Sequence, residues 1–148
     1  NAVCPVLLVR KEMKWKPFKT VVLPIDLKKE SRLKVPAVAG FAKLFGADIH
    51  VVGLKQSSII FITNRLKSVI RQVQDYIVQS AGLKADYAIL QGSGLAQKLL
   101  DYSASVNADL VSVQIHHEGG LGLDFIRPCV NDLINYADGP VLVVPTHE

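Results

Sequence analysis

The 148-residue chain has few cysteines, no long apolar run and no strong excess of one charge. Its two cysteines, Cys4 and Cys129, cannot form a disulfide framework, and no Cys or His spacing typical of a zinc site occurs. No uninterrupted apolar run reaches the roughly 18 residues of a membrane-spanning helix. These absences exclude a disulfide-rich secreted domain, and we expect a cytoplasmic protein without a membrane partner.

The balance of charge is mildly basic. Seventeen Lys and Arg residues against thirteen Asp and Glu residues leave a net charge of +4. The basic residues are spread along the chain apart from a short cluster at 10–19, so a nucleic-acid partner is not expected. Apolar residues make up 49% of the chain, which is the composition of one folded domain with its own core rather than of a disordered segment.

Short β-branched runs alternate with stretches of helical periodicity. Strands are predicted at 19–25, 48–54, 85–91, 109–115 and 140–144. Helices are predicted at 31–45, 62–81, 95–106 and 130–137, with Ser31 as the first N-cap and with Gly46 and Gly82 as terminators. This order predicts an α/β domain with an open, doubly wound, mainly parallel five-stranded sheet, whose ligand site lies at the carboxyl ends of the strands.

The N-terminal residues resemble the last predicted strand. Residues 1–9 (NAVCPVLLV) align with residues 136–144 (YADGPVLVV), so that Pro5 matches Pro140. Two explanations stay open: chance similarity between β-rich segments, or a repeated domain. The second predicts that residues 1–10 are the C-terminal strand of a preceding copy, that 11–18 are a linker, and that 19–148 are the domain. The start at Asn1 also leads us to expect an upstream segment.

A strand from the preceding copy would add one strand to the sheet. The edge of an open sheet presents unpaired backbone groups, which a partner strand can cover. We expect an antiparallel pairing between two segments, formed by Val6, Leu7, Leu8 and Val9 on one side and by Val141, Leu142, Val143 and Val144 on the other.

Four segments, in this order, resemble universal stress proteins: LPID at 23–26, KVPAVAGFAKLFGADIHVVGL at 34–54, ADLVSVQ at 108–114 and YADGPVLVVP at 136–145. The resemblance extends over 18–145 and implies their Rossmann-like fold, which is also that of the adenine-nucleotide α-hydrolases. It further implies a stress-response domain that dimerises, with itself or with a tandem neighbour, through the last strands of each copy.

The chain departs from the nucleotide-binding motif of that family. Its nucleotide-binding members carry two glycines and a final Gly-Ser or Gly-Thr after the fourth strand of the domain, where bare backbone meets the phosphates. The matching positions here are Gln114, His117, and Arg127 followed by Pro128, which has no N–H. Only Asp26 matches, at the position that holds the ribose. The resemblance therefore implies the fold without a standard ATP site, and no cofactor is expected.

Two functions follow from these observations. The main prediction is a non-catalytic regulatory module whose partners are a neighbouring copy and an unidentified protein or small molecule. The alternative is an ATP-binding domain, with slow hydrolysis left open, in which Asp26 holds the ribose while His117 and Arg127 bind phosphate. The candidate nucleotide or anion site is completed by Pro24, Gln114, Gly119 and Gly120.

Metal binding and catalysis have weaker support. His116, His117 and Glu118, together with Cys129, are potential ligands, but adjacent side chains on one loop rarely converge on an ion, so no metal site is predicted. Asp26 has no second titratable group at a fixed spacing, and no serine has the context of a nucleophile elbow. No catalytic residue is predicted.

Overall fold

The computed structural model describes residues 4–14, 16–116, 133–135 and 137–146. The strands in this part of the chain are β1 (Val6–Leu8), β2 (Thr20–Ile25), β3 (Asp48–Lys55), β4 (Ala85–Gln91), β5 (Leu110–His116) and β6 (Val141–Thr146). The helices bounded there are α1 (Val35–Phe45), α2 (Ile60–Ala81) and α3 (Leu95–Ser105), and a short 3₁₀ helix (Lys29–Arg32) precedes α1.

The strands of the described ranges form one sheet in the order β1-β6-β5-β2-β3-β4. β2 pairs in parallel with β3 on one side and with β5 on the other, and β1 is antiparallel to β6. The chain thus moves outward from β2 to β4 and then returns to β5, so the strand order reverses between β2 and β5. The predicted doubly wound, mainly parallel sheet with one extra strand is confirmed.

β2 occupies the centre of the sheet because its residues are apolar on both faces. Residues 21–25 are all buried. One core cluster joins this strand to α1 and α2, and a second cluster on the opposite face contains residues of α3 together with Leu133 and Ala137. Helical layers on both faces are the usual way to bury a parallel sheet.

The apolar stripe of α2 packs as its spacing predicts. Leu66, Ile70, Val73 and Ile77 are buried against the sheet. Gly82 follows with φ +65°, a left-handed conformation that a glycine adopts without steric strain, and it ends the helix as predicted.

The start of α1 differs from the prediction. The helix begins at Val35, its N-cap is Lys34 without a side-chain cap, and Pro36 lies in the first turn. The predicted N-cap, Ser31, lies instead in the 3₁₀ helix, because its hydroxyl bonds to backbone groups of the preceding turn. The prediction of a serine cap was wrong.

The C-terminal part is described incompletely. β6 extends to Thr146, beyond the predicted 140–144. Residues 133–135 are helical and Leu133 is fully buried, whereas residues 130–132 and 136 of the helix predicted at 130–137 lie outside the described residues. None of the helices in the described ranges is long and apolar enough to cross a bilayer.

Candidate functional site

The ladder that joins β2 to β5 stops before the carboxyl ends of the two strands. Their ladder ends at Val22 and Val111, although both strands continue beyond that pair. Pro24 has no N–H to donate past this point, and the Ser112 hydroxyl donates to the Val22 carbonyl at 3.0 Å. The carboxyl ends of β2 and β5 therefore lie where the strand order reverses, and in doubly wound sheets the crevice at this position is where ligands bind.

Asp26 directly follows β2 at this crevice and is only 2% exposed. Its Oδ1 accepts a hydrogen bond from the Lys28 backbone N–H at 2.7 Å, whereas its buried Oδ2 has no hydrogen-bond partner among the described residues. Burial raises the pKa of the carboxyl, while the hydrogen bond from the Lys28 backbone and the charge of Lys34 oppose that rise. The structure thus brings a carboxyl group with one unpaired oxygen to the strand end.

Ser31 fixes the turn that carries Asp26. Its Oγ accepts the Asp26 backbone N–H at 3.0 Å and donates to the Lys28 carbonyl oxygen at 2.9 Å. Because Ser31 is fully buried, no water competes for these bonds. The hydroxyl thus holds the end of β2 against the 3₁₀ helix, whereas the sequence predicted that it caps the first α-helix.

Lys34 is a site residue that sequence reasoning missed. Its side chain is fully buried, and its Nζ donates to the Ser31 carbonyl oxygen and to Gln114 Oε1, both at 2.8 Å. Burial lowers the pKa of this ammonium to about 7, although the charge of Asp26 acts in the opposite direction. Lys34 stands four residues before Val38 and therefore lies on the same helix face as the predicted apolar stripe. This position was the feature of the sequence that indicated its burial.

Gln114 meets Lys34 from β5 and is 1% exposed. It stands at the position that the first glycine occupies in the nucleotide-binding motif. The bond between Lys34 and Gln114 joins the start of α1 to β5 across the crevice. We call Asp26, Ser31, Lys34 and Gln114 the crevice cluster.

The crevice cluster has mixed acid–base character. Burial favours the neutral forms of both ionisable groups, since it raises the pKa of Asp26 and lowers that of Lys34. An amine with a pKa of about 7 exists in protonated and neutral forms near neutral pH. Because the four side chains are buried among one another, the cluster acts first as internal packing of the crevice.

The other candidate residues are described only in part. Pro24, Asp26 and Gln114 lie on the described strand ends that border the crevice. His117, Gly119, Gly120 and Arg127 lie outside the described residues, and their binding roles stay predictions.

The potential metal ligands also lie largely outside the described residues. This applies to His117, Glu118 and Cys129 and to the side chain of His116. Within the part of the chain that the structure describes, no three His, Cys, Asp or Glu side chains are grouped as a metal site requires.

β1 covers the sheet edge beside β6. Its pairs with β6 join Val6 to Val143, Leu7 to Leu142 and Leu8 to Val141. The ladder is thus antiparallel and lies within one chain.

This ladder is one residue shorter at each end than the predicted pairing. Val9 follows β1 and is 63% exposed, and Val144 has no partner in β1. Continuing the register would place Val9 opposite Pro140 and Val144 opposite Pro5. A proline has no N–H for a ladder hydrogen bond, which explains both limits.

The sheet order, the layered helices and the crevice at the strand reversal define a doubly wound α/β domain. Its fold is that of the universal stress proteins. One such protein, solved in complex with cAMP, matches with a TM-score of 0.73 at 16% identity, over 89% of this chain and 100% of that chain. A universal stress protein from Archaeoglobus fulgidus in complex with dAMP matches with a TM-score of 0.68 at 17% identity, over 87% and 99%.

A third match differs in length. A universal stress protein from Archaeoglobus fulgidus DSM 4304 matches with a TM-score of 0.73 at 14% identity, over 97% of this chain but 50% of that chain. No protein-family model matches the sequence, and no curated protein matches it significantly. At these low identities, the structural likeness shows the fold alone.

Proposed function

We propose that this domain is a non-catalytic regulatory module of the universal stress protein type, and that it does not bind ATP in the standard manner of that family. The observation that carries the proposal is the bond between Lys34 and Gln114, which joins the two sides of the crevice. Both side chains are almost fully buried, so they fill space that a ligand would need.

Admitting a nucleotide would disrupt the crevice cluster. The ammonium of Lys34 would lose acceptors in Ser31 and Gln114, and each hydrogen bond to a charged group is worth roughly 1.5–3 kcal/mol. The Gln114 side chain also stands where nucleotide-binding relatives leave bare backbone. Phosphates approach a glycine backbone closely only when no side chain intervenes.

We also propose that two copies of this domain pair through β1 and β6. The sequence alignment that matches Pro5 with Pro140 makes Leu7 equivalent to Leu142. These two residues are direct partners in the ladder, so equivalent residues lie on either side of a local two-fold axis. Such self-complementary pairing is what an isologous contact between two copies requires. The half-length match to one Archaeoglobus protein supports a tandem arrangement, in which β1 is the last strand of the preceding copy. A homodimer would use the same edge of β6 only where β1 does not cover it.

Nucleotide binding is the second candidate function. Two universal stress proteins of this fold were solved with cAMP and with dAMP. Asp26 lies at the end of β2, and its Oδ2 has no hydrogen-bond partner in the described chain, so it could accept a ribose hydroxyl. In this alternative Asp26 holds the ribose, while His117 and Arg127 bind the phosphates.

Titration calorimetry separates the two candidates. Wild type and Asp26→Ala are each titrated with ATP and Mg²⁺, with dAMP and with cAMP. We expect no binding heat from either protein at millimolar nucleotide and no ATP turnover above the uncatalysed rate. Micromolar binding by wild type that Asp26→Ala abolishes would establish the second candidate and reject the first.

A further inference from the structure

A shallow cavity of about 200 Å³, open to solvent, lies between the start of α1 and the middle of α2. It is separate from the crevice cluster, since none of the cluster residues lines it. The lining residues are Arg32, Val35, Pro36, Gln72, Val73 and Tyr76.

Arg32 supplies the one charge of this lining and is not neutralised. Its Nε is buried and has no hydrogen-bond partner among the described residues. Its guanidinium also forms no ion pair with a described carboxylate. Because this Nε is closed off by protein atoms, a ligand in the cavity would meet the two terminal nitrogens of the guanidinium, which are not buried and have no partner among the described residues.

The rest of the lining is neutral. Val35, Pro36 and Val73 provide an apolar wall, while Gln72 and Tyr76 provide an amide and a hydroxyl. One guanidinium fork matches the two oxygens of a carboxylate. A phosphate dianion would carry more charge than this single cation balances. The lining therefore favours a monoanion with an apolar body.

We propose that this cavity binds a carboxylate group carried on a short, branched apolar body. The guanidinium of Arg32 pairs with the carboxylate, and the apolar body lies against Val35 and Val73. The volume is smaller than the roughly 300–1,000 Å³ of drug-sized ligand pockets, which suits a group of this size. A free short-chain acid and the C-terminal residue of a peptide both present this chemistry.

Four probes test the site in the ¹⁵N-labelled full chain by NMR titration. Isovalerate represents the free acid and acetyl-leucine represents a peptide terminus, while isovaleramide and acetyl-leucinamide lack the charge. We expect saturable shifts at Arg32 Nε–H and at the amides of Val35 and Val73, with at least one acid and with neither amide probe.

Variants of Arg32 define the role of its guanidinium. Since hydrogen bonds to charged groups are strong, Arg32→Gln should weaken binding by about tenfold to a hundredfold. Arg32→Lys keeps the positive charge but lacks the paired N–H donors of the guanidinium, so it should also weaken binding. Lys29→Gln lies on the same 3₁₀ helix outside the cavity and should leave the affinity unchanged. The unfolding midpoint of each variant checks that it is folded.

The titrations show whether the ligand is a free acid or a peptide C-terminus, and whether the site exists. Saturation by isovalerate identifies a free acid as the ligand class, and saturation by acetyl-leucine alone identifies a peptide C-terminus. Non-saturating shifts with both acids, equal shifts with the amides, or unchanged affinity in Arg32→Gln would each overturn the site. Because the site shares no residue with the crevice cluster, these results do not depend on nucleotide binding.

Discussion

Lys34 determines what the crevice can hold. A lysine without exposed surface is unusual, because its ammonium gives up hydration that protein groups must replace. Two oxygen acceptors and the opposite charge of Asp26 replace it here, yet the pKa still falls to about 7. This residual cost makes the stability of the fold depend on pH.

The free energy of unfolding should rise with pH above 7. In the unfolded chain Lys34 has its ordinary pKa of 10.5, so between about 7 and 10.5 the unfolded state binds more protons than the native state. One such group gives a slope of up to about 1.4 kcal/mol per pH unit. Lys34→Met should abolish this rise, as measured by urea unfolding from pH 7 to about 9.

Lys43→Met is the matched control for this experiment. Lys43 lies in the same helix α1 but is exposed, so its removal should leave the slope of the wild type intact. Identical slopes in wild type and Lys34→Met would mean that Lys34 titrates normally in the folded protein.

Ser31→Ala should destabilise the fold by about 1–3 kcal/mol, because it leaves the buried Asp26 backbone N–H without its acceptor. Ser105→Ala removes an exposed hydroxyl that donates to the Tyr102 carbonyl and should change stability by less than about 0.5 kcal/mol. Chemical denaturation of both variants measures the difference. Equal effects would show that the Ser31 hydroxyl does not support the turn.

The residues of the site were predictable to different degrees. Asp26 directly follows an apolar strand, and in doubly wound sheets the ligand site lies at the carboxyl ends of such strands. The burial of Lys34 depends on Gln114, which is 80 positions away in sequence. Only the folded sheet brings the two together, so the stripe position of Lys34 indicated burial without indicating the partner.

Packing between elements is tight at Gly53, where β3 faces side chains of α2. A Cβ at this position would lie 2.7 Å from Ile70 Cδ1 and 3.0 Å from Leu66 Cδ2. Gly53→Ala should therefore destabilise the fold by about 1–3 kcal/mol through overpacking.

Gly40→Ala provides the opposite case. Gly40 lies in α1, and a Cβ there would meet nothing within 4 Å. The substitution should stabilise the helix by about 0.5–1 kcal/mol. Thermal unfolding of both variants measures the contrast, and two changes of the same sign would contradict this account of the packing.

Element boundaries were predictable where one local signal dominated. Gly46 and Gly82 end their helices because each adopts a left-handed conformation. Ser31 misled the prediction because its hydroxyl has two uses, as a helix cap and as a support for the turn after β2. The backbone of that turn provided the better partners, and sequence spacing does not distinguish the two.

At the scale of the whole molecule, β1 shields the edge of β6. Deleting residues 1–10 should expose β6 and allow two copies to pair through it, with Leu142 at the two-fold axis. Light scattering should give one 16.2 kDa chain for the full sequence and a dimer for the shortened one. A folded but monomeric shortened chain, with the circular dichroism of the wild type, would contradict the pairing.

The doubly wound, mainly parallel sheet followed from the alternation of β and α segments, because parallel strands need crossover connections. The end points of the β1–β6 ladder did not follow, since they depend on a register that places Val9 and Val144 opposite prolines.

The pKa of the Lys34 ammonium decides whether this side chain is buried in the folded protein and fills the crevice. It is measured in the full chain from the ¹³C chemical shift of Lys34 Cε against pH, with assignment by comparison with Lys34→Met. We expect a midpoint near pH 7, unchanged by ATP and Mg²⁺. A midpoint near the ordinary 10.5 would show a solvated lysine and an open crevice, and would contradict this expectation.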